Sequence, residues 1–267
     1  MAADFQFKDK YDIGDLLQIM TILRRPEGGC PWDAAQTHKS IRRDFIEETY
    51  EVIEAINKDD KALLREELGD VLMQVVFHTE LEREAGNFDF SDVADGICKK
   101  LIERHPHVFG EVHVDGTEDV LTNWDAIKRQ SKKQATYTSA MKAVPRELPA
   151  LMRAEKIHHK AVKSGVLIDS AEELLEKLEA DVRVLGETAV VRYPDARQLV
   201  LGKFLFDAAS FADLIKADPE MALTKTVDDF IDCFGQVEDG GDPEELKKDA
   251  DDLWNEVLGI KDSSQHA

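Results

Sequence analysis

Two short acidic segments carry the fold prediction: Glu47-Glu48-Thr49-Tyr50-Glu51 and Glu67-Leu68-Gly69-Asp70. Both have the residue pattern of a helix interior, and each contains a pair of acids three positions apart, Glu48/Glu51 and Glu67/Asp70. At that spacing two side chains project from neighbouring points on one helix face, where like charges repel. Four acids on such faces need a compensating cation, and a hard ion with oxygen ligands such as Mg²⁺ meets that need.

The residues around these acids predict that the acidic faces are partly buried. At about 100° per residue, one apolar stripe is formed by Ile41, Phe45, Val52 and Ile56. Glu48 lies in the middle of this stripe, and Asp70 is followed by the almost wholly apolar run 71–77. Charged side chains are rarely buried unless they are paired or coordinated. The pattern therefore favours a functional carboxylate cluster over ordinary solvated acids.

Composition and charge limit the partners. The chain has 267 residues, 43% of them hydrophobic, and a formal net charge of −21. This hydrophobic content supports a normal globular core. A strongly negative field repels nucleic acid and anionic membranes, so we predict neither as a partner. A small polyanion can still bind if it arrives with Mg²⁺ and meets a local basic cluster.

Cysteines and termini predict a cytoplasmic protein. Cys30, Cys98 and Cys233 are widely separated and form no CxxC or Cys/His pattern, which indicates reduced thiols. The N-terminal residues 1–4 are not a basic region followed by an apolar run. No segment approaches the roughly 18 apolar residues needed to span a bilayer.

Helical periodicity dominates the whole chain, so the predicted fold is all-α, with two helical bundles in tandem. We predict a catalytic helical domain over residues 1–135, a linker over 136–149, a second helical repeat over 150–260 and a disordered tail over 261–267. Helices are predicted near 16–23, 41–57, 61–84, 91–105 and around Trp124, then near 151–163, 172–187, 196–215, 226–237 and 243–258.

With these segments in place, the sequence resembles the two-repeat bacterial form of the MazG family of nucleoside triphosphate pyrophosphohydrolases. The resemblance covers nearly the whole chain. The family pattern Glu-Glu-x-x-Glu, then Glu-x-x-Asp on the next helix, is matched by residues 47–51 and 67–70. Flanking matches are Cys30-Pro31-Trp32-Asp33 and His105-Pro106-His107-Val108-Phe109. The resemblance implies an all-α homodimer that binds Mg²⁺, with Mn²⁺ as a substitute, and cleaves nucleoside triphosphates between the α and β phosphates as nucleotide-pool housekeeping.

The resemblance also assigns roles to the acids. Carried over by position, Glu48, Glu51, Glu67 and Asp70 are the metal ligands. Glu47 is a further, catalytic acid that holds a second ion or orients the attacking water. A carboxylate cage of this kind neutralises charge that develops on a reacting phosphate.

Basic residues downstream are candidates for contacts with the phosphates. Lys100 and Arg104 are one helical turn apart, and Lys128 follows Trp124 by one turn. Basic residues at helical spacing are often only solvated, but matching positions in similar proteins contact phosphates. We therefore predict a role for all three in holding the leaving pyrophosphate.

Aromatic residues are candidates for contacts with the nucleotide base. Trp124 and Trp32 can stack on a base, with packing as the alternative for each. Asp33, in the same Gly/Pro-containing loop as Trp32, either caps the following segment or touches the nucleotide.

The second repeat departs from the family pattern. Its ligand positions fall at Asp181 and Val184, and its Glu-x-x-Asp becomes Val200-Leu201-Gly202-Lys203. A lysine in place of a metal ligand opposes Mg²⁺ directly, so we predict that this repeat is not catalytic.

Three alternatives compete with this interpretation. A di-iron carboxylate bundle needs two Glu-x-x-His motifs, and only Glu155-Lys156-Ile157-His158 fits. A non-catalytic nucleotide-sensing or scaffolding protein is favoured by the degenerate second repeat and opposed by the complete first one. A narrower dUTP or dCTP pyrophosphatase is opposed by the two-repeat layout and by the Cys30–Asp33 loop.

Overall fold

The computed structural model describes residues 5–114, 116, 117, 119, 120, 123, 124, 127, 136–165, 170–189 and 194–239. Within these residues every regular element is a helix, which confirms the all-α prediction. The chain divides into two compact units, Met1–Lys128 and Arg129–Ala267. In the described part of the chain, no helix is both long enough and apolar enough to cross a membrane.

The first unit is built around one long helix. Its elements are α1 (Ile13–Leu23), α2 (Pro31–Ala35), α3 (Arg42–Asn57), α4 (Lys61–Glu84), α5 (Phe90–Arg104) and α6 (Pro106–Phe109). The 24-residue helix α4 begins at Asp60, whose carboxylate accepts the backbone N–H groups of Ala62 and Leu63. This satisfies amide donors that the first turn leaves free. Helices α1, α3 and α5 all pack against α4, so α4 positions whatever site the unit carries.

The core of this unit lies where α1, the start of α3 and the second half of α4 meet. It is formed by Met20, Ile41, Val76 and Phe77. Further apolar side chains pack against it: Leu16, Leu17, Met73, Leu81 and Phe90. Met73, Val76 and Phe77 of the apolar run 71–77 thus contribute to the core, and the acids Glu67 and Asp70 precede them on α4.

Two members of the predicted apolar stripe on α3 are not buried. Ile41 is in the core and Val52 is half-buried, but Phe45 and Ile56 are exposed. The prediction was wrong for these two residues because α3 packs mainly against α4, which covers only one side of α3. An apolar surface remains on the outer side.

The second unit repeats the plan of packed helices. Its elements are α7 (Tyr137–Lys142), α8 (Ala150–Lys163), α9 (Ala171–Ala189), α10 (Pro194–Ile215) and α11 (Pro219–Asp239). Helix α10 packs against α8 and α9, and α8 also contacts α11. Helix α11 begins before the predicted start at 226. The predicted helix 243–258 and the tail 261–267 lie outside the described residues.

The predicted linker contains an ordered helix. Helix α7 starts with a capping box in which the Thr136 hydroxyl accepts the Ser139 backbone N–H. Ala140 and Val144 are buried, and α7 packs against α8. The polar composition of this segment and its two prolines suggested a linker, and two small apolar anchors are too few to form a visible helical pattern.

Candidate functional site

Three carboxylates from the paired helices α3 and α4 converge. One oxygen from each of Glu48, Glu67 and Asp70 lies within 4.8 Å of the other two, and all three side chains are half-buried. Glu51 lies within hydrogen-bonding reach of Glu48 and of Glu67. Within the described residues, no other group of His, Cys, Asp and Glu meets this distance. The acids predicted to act together therefore face one point from two helices.

The electrostatics of this cluster favour a bound cation. Burial raises the pKa of the Glu48 carboxyl above its ordinary value, and the neighbouring Glu51 and Asp70 raise it further. Burial also raises the pKa of Glu67, followed by the charges of Glu51 and Asp70. Each shift means that an ionised carboxylate is unfavourable while the cluster has no counter-charge. An all-oxygen donor set of this kind fits a hard divalent ion such as Mg²⁺.

Glu47 lies outside the three-acid cluster. Its carboxylate is exposed, on the wall of a pocket of about 350 Å³. This pocket is lined by Arg43, Ile46, Glu47, Tyr50, Glu51 and Glu54. Glu51 belongs both to the pocket wall and to the surroundings of the cluster, so the two features are adjacent. Glu47 directly precedes Glu48 on α3, but it is not one of the three acids that converge.

Gln74 was missed by sequence reasoning. It is only 4% exposed, and its side chain is close enough to Glu48 to lower the pKa of that carboxyl, against the larger effects that raise it. Its Oε1 atom is buried and has no hydrogen-bond partner. The sequence did contain a feature that could have identified Gln74. It is the single polar residue in the run 71–77, and it follows Asp70 by one helical turn. Gln74 therefore supports Glu48 from the core side of the cluster.

The structure separates the two basic residues predicted on α5. Lys100 is exposed, whereas Arg104 is buried with its guanidinium over the Trp124 ring, 5.0 Å from the ring centroid. The buried Nε of Arg104 has no hydrogen-bond partner. The Trp124 ring therefore packs against a cation within the protein. This contact corresponds to packing, one of the two alternatives predicted for Trp124. Lys128 lies outside the described residues.

The loop that carries Trp32 is anchored to α4. Arg24 makes a two-pronged ion pair with Glu84, at 2.8 Å from Nε and 2.8 Å from Nη2, and its Nη1 donates to the Asp33 carbonyl at 2.6 Å. The tight turn before the loop requires Gly29, because a Cβ there would lie 2.4 Å from the Arg25 carbonyl oxygen. Trp32 is left 59% exposed on this anchored loop. Asp33 lies inside α2, and the following helix α3 has Ile41 at its N-terminal cap position without a side-chain cap, so Asp33 does not act as the predicted cap.

The fold and the cluster together define an all-α protein with a half-buried carboxylate cluster whose donors suit a hard cation. The family model described as the MazG nucleotide pyrophosphohydrolase domain matches residues 36–109, which include all four predicted ligands. The chain is 39% identical over 228 residues to the nucleoside triphosphate pyrophosphohydrolase of Escherichia coli K12, covering 85% of this chain and 87% of that protein.

Similarity extends over both units in other relatives. The nucleoside triphosphate pyrophosphohydrolase/pyrophosphatase MazG of Thermotoga maritima is 38% identical over 253 residues, covering 92% of this chain and 95% of that protein. The uncharacterized protein YabN of Bacillus subtilis is 37% identical over 255 residues, covering 92% of this chain and 52% of that protein. The chain belongs to the MazG family, and the resemblance stated from its motifs is confirmed.

Proposed function

We propose that this protein hydrolyses nucleoside triphosphates between the α and β phosphates in a Mg²⁺-dependent reaction. The products are a nucleoside monophosphate and pyrophosphate, and the role is nucleotide-pool housekeeping. The observation that carries the proposal is the convergence of Glu48, Glu67 and Asp70 within 4.8 Å. Membership of a family of nucleotide pyrophosphohydrolases supports the same conclusion.

In this proposal Glu48, Glu51, Glu67 and Asp70 hold the ion, with Mn²⁺ as a substitute for Mg²⁺. When bound, the ion neutralises charge on the phosphate oxygens and favours attack at phosphorus. Gln74 keeps the Glu48 carboxylate oriented toward the cluster through its amide donor.

The remaining predicted residues surround this cluster with defined tasks. Glu47 is an exposed carboxylate on the pocket wall, where it orients the attacking water and accepts its proton. Lys100 and Arg104, with Lys128, hold the departing pyrophosphate through charge-assisted hydrogen bonds.

The nucleoside is held by two kinds of contact. Trp32 is exposed on a loop that Arg24 holds in place, and Trp124 presents a ring already ordered by Arg104. Either ring can stack on a base, and Asp33 is close enough in sequence to Trp32 to contact the same nucleoside.

We also propose that the chain forms a homodimer in the cytoplasm. Large apolar side chains are exposed on α3, α4 and α5: Phe45, Ile46, Tyr50, Leu68, Leu72, Ile97 and Leu101. Exposed apolar side chains in this number are typical of association surfaces. The free thiols of Cys30 and Cys98 support a reducing compartment. Sedimentation equilibrium of the full chain tests the dimer, and a monomer at micromolar concentration would contradict it.

The activity is tested by ³¹P NMR on the full chain with Mg²⁺ and a panel of ribo- and deoxynucleoside triphosphates. We expect monophosphate and pyrophosphate from the wild type, and no turnover from Glu48→Gln or Asp70→Asn. Glu66→Gln, which changes an exposed acid next to the cluster, is the matched control and should retain activity. Diphosphate and phosphate as products would contradict the proposed bond. Mg²⁺-dependent nucleotide binding without turnover would favour a sensor.

A further inference from the structure

The second unit contains an ion-pair triad between α9 and α10, in which two buried aspartates bind the ammonium of Lys203, a side chain that is itself 56% exposed. The Lys203 ammonium donates to both carboxylate oxygens of Asp181, at 2.7 and 2.8 Å, and to Asp207 at 2.8 Å. Asp181 is only 6% exposed and Asp207 only 8%. The two aspartates bind one cationic atom from opposite helices, because Asp181 is on α9 while Asp207 is on α10.

The triad has the sequence register of the first unit's acid cluster. Asp181 and Lys203 are 22 residues apart, the same separation as Glu48 and Asp70. Asp207 follows Lys203 by one helical turn, as Gln74 follows Asp70. The difference in residue number between Glu48 and Asp181 also relates other matching positions of the two units. It relates Leu68-Gly69 to Leu201-Gly202, the buried Ile41 to the buried Leu174, and the buried Val76 to the buried Ala209.

We infer that the α9–α10 pair retains the cation position of the α3–α4 pair, and that the Lys203 ammonium is its permanent occupant. In the function proposed above, the first unit takes an added divalent ion, whereas the second unit supplies its own cation from the chain. This inference rests on the geometry of α9 and α10, and it holds whether or not the first unit hydrolyses nucleotides.

The charges in the triad explain why an ammonium suffices. The positions that correspond to Glu51 and Glu67 are Val184 and Val200, so two of the four acids are missing. The hydrogen bonds that Lys203 donates to Asp181, and then to Asp207, raise the pKa of Lys203, which keeps the ammonium charged. One ammonium against two carboxylates leaves a net charge of −1, whereas the four acids of the first unit carry −4, so the attraction for a divalent ion is much weaker here. The second unit is therefore a metal-independent counterpart of the first.

The inference is tested by counting bound Mn²⁺ with electron paramagnetic resonance on the full chain. A Glu48→Gln/Glu51→Gln/Glu67→Gln/Asp70→Asn background removes all four proposed ligands of the first unit, so that any tightly bound Mn²⁺ reports on the second unit. In that background we expect no tight binding while Lys203 is present. Lys203→Asp, which restores the acid found at the corresponding position of the first unit, should bind about one Mn²⁺ per chain.

Thermal unfolding supplies an independent measurement. Lys203→Met leaves two buried carboxylates without a cation and should lower the Tm of the second unit by about 4 °C. Lys225→Met is the matched control, because Lys225 pairs with Asp229 on an exposed face of the same unit and its loss should change Tm by less than about 1 °C. Millimolar Mn²⁺ should restore the Tm of Lys203→Met and leave that of the control unchanged.

Two results would overturn the inference. The first is tight Mn²⁺ binding in the background while Lys203 is intact, if Asp181→Asn abolishes that binding. The second is an absence of any Mn²⁺ response, in binding or in Tm, from both Lys203→Asp and Lys203→Met. If Lys203→Asp does not fold, as judged by circular dichroism, the response of Lys203→Met alone decides.

Discussion

The substitution Glu48→Gln should stabilise the metal-free protein and destabilise the protein in Mg²⁺, each relative to the wild type. In the metal-free protein, Glu48 is half-buried and faces other carboxylates, and burial together with those charges raises its pKa. An amide of the same shape removes this repulsion and keeps an oxygen acceptor beside Gln74. The variant should therefore be more stable than the wild type in EDTA, and less stable in Mg²⁺ because it has lost a charged ligand.

The magnitude follows from the spacing of the cluster, in which the oxygens lie within 4.8 Å of one another. Two unit charges at about that distance repel by about 0.9 kcal/mol in water and about 3.5 kcal/mol at an effective dielectric constant of about 20. The half-buried position of Glu48 favours the lower value, so the gain in EDTA should be about 1 kcal/mol. A ligand at 100 times its Kd stabilises the folded wild type by about 2.7 kcal/mol, so the order reverses in Mg²⁺ by about 2 kcal/mol.

Urea unfolding followed by tryptophan fluorescence measures both values. The three tryptophans are Trp32, Trp124 and Trp254, and the first two belong to the first unit. A Trp254→Phe background therefore restricts the signal to the unit that carries the cluster. Glu66→Gln serves as the control, and its unfolding free energy should stay within about 0.5 kcal/mol of the wild-type value in both conditions.

Two results would refute this reasoning about the cluster. If Glu48→Gln destabilises the protein in EDTA, the carboxylates do not repel one another in the folded state. If Mg²⁺ stabilises the variant as much as the wild type, Glu48 is not a ligand. Stabilisation of the variant in EDTA combined with the loss of Mg²⁺ protection is the expected pair of results.

Three further substitutions test the surroundings of the site. Gln74→Met removes the amide that supports Glu48 and should weaken Mg²⁺ affinity about tenfold by isothermal titration calorimetry. Arg24→Met leaves Glu84 without its two-pronged partner and should lower the free energy of unfolding by about 2 kcal/mol in urea. Burial, and then the charge of its stacked histidine neighbour, lowers the pKa of His78 below 6.5. Because the pKa of His78 is lower in the folded state, the unfolded state binds more protons. The free energy of unfolding should therefore fall as the pH drops from 6.5 toward the folded-state pKa. The variant His78→Gln should weaken this dependence.

Each of these substitutions has its own control. Unchanged Mg²⁺ affinity in Gln74→Met would show that its amide does not position the ligand. Lys99→Met breaks an exposed ion pair with Asp95 and should cost less than about 0.5 kcal/mol, so an equal cost for Arg24→Met would contradict its structural role. For the dependence of stability on pH, the control is the exposed residue His113. The variant His113→Gln should show the same change of stability with pH as the wild type.

Features that lie within a single helix could be predicted from the sequence alone. Helical periodicity placed the bounds of α3 and α4 within a residue or two, and it put Glu48 with Glu51, and Glu67 with Asp70, on shared helix faces. These features depend on the 3.6-residue period of one helix, which is written into neighbouring residues. The motif order then identified the family.

Other features arose only when helices packed. Phe45 had the pattern of a core residue but is exposed, because burial depends on which neighbour covers a face. Glu47 and Glu48 are adjacent in the chain, yet only Glu48 joins the cluster. Gln74 could not be assigned to Glu48 before the register between α3 and α4 was known.

Lys203 shows the difference between these two levels most clearly. From the sequence alone it is a lysine in the place of a metal ligand, and its predicted consequence was the loss of an ion. In the folded unit its ammonium lies between Asp181 and Asp207 and supplies a cation to that position. Spacing along one helix determines which side chains share a face, but contacts between helices determine which charges meet, because those contacts join residues far apart in the chain.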